Sequence, residues 1–266
     1  MVRAGQFVAN GLLGRYKHTS FPLCLHLYRE AKQADFVNQS IPKALHMSDP
    51  VTARRIMVES QIRPRNITDP RILASLRKIP REAFVPKAKK AVAYSEGNIE
   101  VAAGRYLLDP GTLCTMIDGA EIGPQDIVLI IGGGDGYAAA LIGQLANAVL
   151  ALESDSELAE KAASLLEGLD ADNVALVNGE LAAGYPDEAP YDVILVNGGA
   201  ELSLQELASQ LRDGGRLVGI EYEQNIGRVR LYRKDGGIVS GRTLEDADAP
   251  VLPGFVKPRQ FSFDAA

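Results

Sequence analysis

The sequence has few of the side chains on which most hydrolytic and metal-dependent sites are built. It holds two cysteines, Cys24 and Cys114, and its three histidines, His18, His26 and His46, all lie within the first 46 of 266 residues. Imidazole is the usual base that activates a serine or cysteine and, with cysteine, the usual zinc ligand. The chain after residue 46 therefore excludes a Ser-His-Asp triad, a Cys-His dyad and a histidine-containing zinc site. Any catalysis there relies on positioning, on carboxylates or on a bound cofactor.

Long apolar runs and clusters of positive charge are also missing. No segment approaches the roughly 20 apolar residues that a membrane-spanning helix needs. A net charge of −6 with no long Lys/Arg run argues against a general nucleic-acid or anionic-membrane binder. Two cysteines cannot form a disulfide framework, so we expect a reducing, cytoplasmic location. The remaining composition, 46% hydrophobic and 23% charged, is typical of a globular protein.

Residues 1–46 differ from the rest of the chain. They carry six Lys or Arg against two acids, and their apolar residues follow no sustained period. Three interpretations are open: a disordered tail, a targeting peptide, or a gene start placed too far upstream. We favour the third, because Met47 is followed at once by a helix start. There Ser48 or Asp49 can cap the helix, and Pro50 suits its first position.

The rest of the chain predicts two parts. Residues 47–121 begin with helices over 51–61 and 71–78 and form an N-terminal helical part that faces the substrate. From 122 to 266 strands and helices alternate. The predicted strands are 127–131, 148–152, 174–177, 191–196, 216–220, 228–233 and 238–244, and the predicted helices are 137–146, 155–169 and 202–211. This alternation predicts an α/β fold with a doubly wound, Rossmann-like parallel sheet, followed by antiparallel strands at the end.

The strongest local signal is the glycine-rich turn between the first of these strands and its helix. Gly132, Gly134 and Gly136 let the backbone turn tightly and approach a ligand closely, and the following helix start offers unpaired N–H groups. About 20 residues further on, the next strand ends at Glu153, where a carboxylate can take both hydroxyls of a ribose. The alternative role for Glu153 is a solvated acid that helps to cap the next helix. Together the two features predict a nucleoside-type cofactor.

The glycine spacing favours S-adenosylmethionine over a dinucleotide. The pattern is Gly-x-Gly-x-Gly, and not the Gly-x-Gly-x-x-Gly turn that binds a pyrophosphate. Glu180, beyond the third strand, either meets the adenine amino group or is a plain surface loop residue. Asn197, after the fourth strand, either supplies a polar contact or begins a turn. No group of residues predicts a metal site.

Several segments carry a family pattern, and they are residues 57–62, 69–73, 79–86, 93–94, 132–137, 173–174, 179–180, 189–194 and 214–218. In these segments the chain, from about 57 to 263, resembles the protein-L-isoaspartate (D-aspartate) O-methyltransferase family. The Pro-Arg-Glu-x-Phe-Val-Pro segment is specific to that family, whereas class I methyltransferases in general share the glycine loop. The resemblance implies S-adenosylmethionine as cofactor, a three-layer methyltransferase fold, and methyl esterification of the abnormal carboxylate of isoaspartyl residues in damaged proteins. Such a reaction needs no histidine, because a carboxylate is already nucleophilic and positioning supplies most of the acceleration.

The chain departs from the family pattern in the segment that precedes the first strand of the sheet. Gly104 and Pro110 fix the register, and in that register Leu108 stands in place of the active-site serine of the family. Tyr106 stands in place of a threonine and Arg105 in place of a glutamine. Leu108 cannot hydrogen-bond a substrate carboxylate. Arg105 either binds a carboxylate through its guanidinium or is an exposed loop residue.

The glycine loop departs from the pattern as well. Ile130 stands where the first strand of the family usually ends in an acid, and Asp135 replaces a small residue. The resemblance places Asp135 near the methionine carboxylate of the cofactor. The loop also resembles that of spermidine synthases, which hold a decarboxylated cofactor, but nothing else in the chain matches that family.

Three hypotheses about function follow from the matches and departures. The chain is a working methyltransferase that acts on isoaspartyl residues of a protein or peptide, a non-catalytic relative that keeps the fold, or a methyltransferase with another carboxylate acceptor. In the last case Arg105, Tyr106 and Leu108 shape the new pocket. Cys114, which has no histidine partner, is expected to be a buried helix residue and not a nucleophile.

Overall fold

The computed structural model describes residues 49–258, so the interpretations of residues 1–46, of Met47 and of Ser48 lie outside the described part. Helix α1 spans Pro50–Met57 and begins as predicted, with Asp49 accepting hydrogen bonds from the first-turn amides. The predicted helix over 51–61 continues past α1 as a π-helical turn, Val58–Ile62. A proline follows at position 64, and in a continued α-helix its ring would clash with the carbonyl four residues before it, so the regular α-helical ladder ends before this residue.

The rest of the N-terminal part consists of short elements. Helix α2 spans Pro70–Lys78 and is capped by Asp69, as the sequence predicts. An antiparallel hairpin, which the sequence analysis did not predict, pairs β1 (Ile99–Ala102) with β2 (Arg105–Leu107). Helix α3 follows, and its bounds are Pro110–Gly119. Short 3₁₀ turns connect these elements, and they are Arg63–Arg65, Arg81–Ala83 and Lys87–Val92.

Seven strands form the main sheet. Their bounds are β3 Ile127–Ile131, β4 Ala148–Glu153, β5 Val174–Asn178, β6 Tyr191–Ala200, β7 Leu211–Glu223, β8 Ile226–Asp235 and β9 Ile238–Asp246. The strand order is β5-β4-β3-β6-β7-β8-β9. Strands β3 to β7 are parallel to one another, while β8 and β9 are antiparallel to their neighbours. The predicted doubly wound α/β sheet with antiparallel strands at the end is confirmed.

Both faces of the sheet are covered. Helices α4 (Tyr137–Gly143) and α5 (Ser156–Glu167) contribute to one core, and the 3₁₀ segments Leu181–Ala183 and Leu204–Gln210 contribute to the other. A further 3₁₀ turn, Pro186–Glu188, precedes β6 and has no buried residue. Successive residues of β3 alternate between two cores, since Ile130 packs in one and Ile131 in the other. Because each face of β3 is buried, the strand reads as a continuous apolar run.

The structure corrects two details of the predicted elements. The helix expected over 202–211 is the 3₁₀ segment Leu204–Gln210, which Ser203 caps. The strand predicted over 216–220 begins earlier, at Leu211 of β7, but the pairing of β7 with β6 jumps from Leu211 to Arg216, so the residues between them bulge from the sheet. Gly214 has φ +78°, which explains the turn-like sequence at that point.

The sheet has a topological switch point between the neighbouring strands β3 and β6. Strands β4 and β5 extend the sheet on one side of β3, and β6 pairs on its other side. In open α/β sheets ligands bind outside the carboxyl ends of the strands at such a switch point.

Among the described residues, no helix has the length and apolar character needed to cross a membrane.

Candidate active site at the carboxyl edge of the sheet

The glycine loop joins β3 to α4 at the switch point and is buried throughout. Gly132 and Gly136 have φ of +78° and +79°, a region that residues with a Cβ adopt at a cost. Gly134 is required for a different reason, namely space. A Cβ on Gly134 would lie 2.5 Å from Cγ and Oε2 of Glu153. Position 134 therefore has no room for a side chain while Glu153, at the end of β4, keeps its position.

Glu153 is the most enclosed acid at this edge, with no exposed surface. Its carboxylate accepts hydrogen bonds from three backbone amides: Gly134 N at 3.2 Å, Ser154 N at 2.7 Å and Asp155 N at 3.0 Å. The alternative of a solvated acid is thus wrong. The side-chain cap of α5 is Asp155, which accepts from the amides of Glu157 and of the residue after it.

Arg105 reaches Glu153 from the hairpin. Its Nε and Nη2 lie 3.1 Å and 2.9 Å from Glu153 Oε1, and Nη2 also lies 2.8 Å from Ser154 Oγ. The Arg105 side chain is 9% exposed, so the ion pair is buried. The alternative of an exposed loop arginine is therefore wrong. The guanidinium thus lies against the carboxylate for which the sequence predicts a contact with a ribose.

Asp135 and Asn197 form a second polar group at the switch point. Asp135 Oδ1 accepts from Tyr137 N at 2.7 Å, and Asn197 Nδ2 donates to Asp135 Oδ2 at 3.3 Å and to Gly132 O at 3.0 Å. Burial raises the pKa of Asp135 to about 6, although the Tyr137 amide and the Arg81 charge oppose that rise. Asn197 lies inside β6, so the expectation that it begins a turn is wrong. Its Oδ1 is buried and has no donor within the described part of the chain.

The other residues that the sequence singled out are placed less centrally. Glu180 is exposed and precedes a 3₁₀ turn after β5. Tyr106 is half-buried in β2 opposite Glu100. Leu108 is 1% exposed and Ile130 is fully buried, and both pack in the large apolar core. Neither of these two side chains offers a contact to a ligand.

Cys114 is buried within α3, as the sequence predicts. Burial raises the pKa of its thiol to about 12. The reactive form of a cysteine is the thiolate. A thiol that keeps its proton at neutral pH does not serve as a nucleophile.

Arg81, in the segment that carries the family pattern, is a structural residue that the sequence analysis did not single out. It is fully buried, donates from Nε to Ala93 O at 2.7 Å and from Nη2 to Leu108 O at 2.6 Å, and stacks over the Tyr137 ring with Cζ 4.9 Å from the centroid. Arg81 thus joins the segment after β2 to the first residue of α4. No periodic pattern reveals these partners, because they are distant in sequence.

The segment 249–257 also reaches the site, and the sequence analysis missed it. Leu252 N donates to Gly199 O, and Gly199 N donates to Pro250 O, both at 2.9 Å. The Leu252 side chain lies beside two glycines: a Cβ on Gly132 would be 3.0 Å from it and a Cβ on Gly198 would be 2.6 Å from it. An apolar stretch near the end of the chain gives no indication that it folds over the carboxyl end of β6.

The donors and acceptors at this edge fit a nucleoside cofactor that carries an amino-acid group. Glu153 is an acceptor for a diol, and the uncommitted Asn197 Oδ1 and the Asp135 carboxylate are acceptors for an ammonium group. The glycine loop lets a ligand approach the backbone. In the described structure, the Glu153 carboxylate is paired with Arg105.

Comparison with known proteins gives consistent relatives. A sequence model of the protein-L-isoaspartate(D-aspartate) O-methyltransferase family matches residues 52–247. The protein-L-isoaspartate O-methyltransferase 2 of Pelobacter propionicus is 38% identical over 186 residues, which cover 68% of this chain and 83% of the relative. Protein-L-isoaspartate O-methyltransferase 1 of Rhodopseudomonas palustris (strain HaA2) is 39% identical over 195 residues, which cover 73% of this chain and 80% of the relative.

Solved structures support the same fold. One protein-L-isoaspartate O-methyltransferase superposes with a TM-score of 0.67 at 23% identity, over 77% of this chain and 66% of that chain, which is just under two thirds of its length. A β-aspartate methyltransferase from Plasmodium falciparum, solved in complex with S-adenosyl-L-homocysteine, superposes with a TM-score of 0.64 at 15% identity. That match covers 77% of this chain and 98% of the other.

Proposed function

The chain belongs to the protein-L-isoaspartate(D-aspartate) O-methyltransferase family, and from that premise we propose that it transfers a methyl group from S-adenosylmethionine to the carboxylate of isoaspartyl residues in damaged proteins. The observation that carries the proposal is the pairing of a glycine loop with a buried acid, Gly134 against Glu153. This pair lies at the carboxyl edge of the sheet, where α/β folds bind nucleoside ligands.

The residues of the site have distinct roles in this proposal. Glu153 holds the ribose, and Asn197 with Asp135 holds the ammonium group of the methionine portion. The cofactor, when bound, supplies a methyl group activated by its attachment to a sulfonium. The protein contributes position, since in-line placement of two reactants removes much of the barrier. A general base is not needed, because the acceptor carboxylate is ionised at neutral pH.

We infer that Arg105 is the residue that recognises the acceptor carboxylate. A guanidinium binds carboxylates with charge-assisted hydrogen bonds, whereas Leu108, at the position of the family serine, is apolar and buried. Tyr106 follows Arg105 in β2 and is half-buried. The family membership supports a protein or peptide substrate. A cytoplasmic location, supported by the low cysteine content, completes the proposal.

The proposal is tested by methyl transfer with a matched pair of peptides. The full-length protein is incubated with methyl-labelled S-adenosylmethionine and a peptide that carries one isoaspartyl residue, or the same peptide with an ordinary aspartyl residue. We expect a base-labile label on the isoaspartyl peptide alone. Label on both peptides indicates another carboxylate acceptor, and label on neither contradicts the proposed reaction.

A further inference from the structure

The Arg105–Glu153 ion pair closes the position at which the proposed cofactor binds. We propose that Arg105 is a displaceable latch: it leaves Glu153 when the ribose of the cofactor binds there, and it then pairs with the carboxylate of the methyl acceptor. This inference rests on the proposed function. It makes Arg105 a specificity-determining residue that couples the two binding steps.

Glu153 does not depend on Arg105 for its hydrogen bonds. After the guanidinium leaves, the carboxylate keeps three backbone donors, the amides of Gly134, Ser154 and Asp155. The two N–H groups that Arg105 withdraws are replaced by the two hydroxyls of a ribose. The exchange therefore leaves no buried acceptor without a partner. The free-energy penalty of an unsatisfied buried carboxylate oxygen is thus avoided.

The geometry of the ion pair also favours exchange. Both Nε and Nη2 of Arg105 bond to the single oxygen Oε1 of Glu153, while Oε2 accepts from Gly134 N. The strongest arginine–carboxylate pairs place two N–H groups on two oxygens. The present arrangement lacks that feature, so an acceptor carboxylate that offers both of its oxygens is the better partner.

Arg105 needs another anion once it is displaced. Among the described residues its salt bridge is to Glu153, and its remaining contacts are neutral: Ser154 Oγ at 2.8 Å and Gly104 O, which is 3.4 Å from Nη1. A guanidinium that is 9% exposed is costly to leave without a counter-ion. The carboxylate of an isoaspartyl residue supplies that charge at the place where methyl transfer requires it.

The segment that carries Arg105 is suited to move. Arg105 is the first residue of β2, directly after a turn in which Gly104 has φ +68° and is exposed. The hairpin of β1 and β2 is separate from the seven-stranded sheet, and its pairing is irregular between Glu100 and Ala102. Two-stranded hairpins are of marginal stability by themselves. A shift of the turn end therefore disturbs little of the fold.

The test compares the full-length wild-type chain with Arg105→Gln and with Arg233→Gln as a matched control. Arg233 is a partly exposed arginine of β8 that pairs with Glu121 on the surface. Calorimetric titration of S-adenosylhomocysteine measures the cofactor site, and the KM for an isoaspartyl peptide measures the acceptor site. We expect Arg105→Gln to bind S-adenosylhomocysteine at least about tenfold more tightly and to raise the peptide KM at least about tenfold, with both unchanged in Arg233→Gln. A residue with a merely structural role would not move the two affinities in opposite directions.

A second measurement needs no variant of the latch. Saturating S-adenosylhomocysteine should tighten the binding of the isoaspartyl peptide to the wild-type chain by about tenfold, because the cofactor frees Arg105. Equal peptide affinity with and without S-adenosylhomocysteine overturns the latch. So does equal S-adenosylhomocysteine affinity of wild type and Arg105→Gln, a result that leaves the proposed methyltransferase function in place. If neither binds S-adenosylhomocysteine, both the latch and the proposed function fail.

Discussion

Arg105 directs two N–H groups at one oxygen of Glu153, although the two residues lie 48 positions apart in the chain. The sequence assigns the acid to the cofactor and the arginine to the acceptor, and the fold brings them into direct contact. The residue proposed to bind the cofactor and the residue proposed to bind the acceptor thus form a single buried ion pair. The stability and the ligand affinities of the protein should both reflect that pair.

The ion pair predicts an asymmetric double-mutant cycle in stability. Arg105→Met leaves Glu153 with three backbone donors, whereas Glu153→Gln leaves a buried guanidinium without an anion and turns an amide group toward those same donors. We therefore expect Glu153→Gln to be the more destabilising change, with a coupling energy of about 1–3 kcal/mol between the two sites. Urea unfolding of the four proteins measures it. Single-variant effects that add to within about 0.5 kcal/mol would show that the pair does not form in solution.

Asp135 predicts a specific pH dependence of stability. Burial raises the pKa of Asp135 from 3.8 to about 6 in the folded chain, so the folded state holds this proton more tightly than the unfolded state. The stabilising contribution is present in full below the unfolded pKa and is lost as the pH rises through the folded pKa. Asp135→Asn removes this titration. Relative to wild type, the variant should therefore gain up to about 3 kcal/mol of unfolding free energy between pH 4 and pH 7.5.

The measurement for Asp135 is urea unfolding of both proteins at several pH values, with their difference plotted against pH. All other titrating groups are common to the two proteins and cancel in that difference. A difference that stays constant from pH 4 to pH 7.5 would falsify the assignment of a raised pKa to Asp135.

Leu108→Ser restores the residue type of the family pattern, and we expect it to cost stability. The Leu108 side chain is 1% exposed and packs in the large core, so serine would leave a cavity and bury a hydroxyl. Such changes cost about 2–5 kcal/mol. Thermal unfolding measures the loss, and Ile56→Ser, at a residue that is 49% exposed, serves as the control. An unchanged melting temperature for Leu108→Ser would mean that this position is open to the active site in solution.

Local patterns were sufficient to predict much of the fold. The apolar run of β3 is buried on both faces, and the glycines after it serve a tight turn, so sequence and structure agree there. The prediction that Glu153 ends β4 is confirmed. The position is defined locally, because the apolar strand ends there and the helix cap Asp155 follows two residues later. These features depend on residues close together in the chain, which is why periodicity and turn chemistry reveal them.

The contacts that shape the site depend on residues far apart in the chain. The Arg105–Glu153 pair requires the hairpin of β1 and β2, whose short strands gave no alternating pattern long enough to predict. The position of Leu252 against Gly132 requires the path of the last described segment over β6. Arg81 binds two carbonyl groups whose location no local sequence pattern encodes. Tertiary packing decides all three contacts.

Cofactor binding through Glu153 is tested most directly by titrating S-adenosylhomocysteine into full-length wild-type protein, Glu153→Gln and Glu157→Gln. Glu157 is an exposed acid in the first turn of α5 and serves as the control for loss of a negative charge. Calorimetric titration should show one site with a Kd below about 1 mM in wild type and in Glu157→Gln, and at least about tenfold weaker binding in Glu153→Gln. Circular dichroism should confirm that all three proteins are folded at the temperature used. Equal affinity of Glu153→Gln and wild type, or no binding by the wild-type protein, would contradict a cofactor site at Glu153.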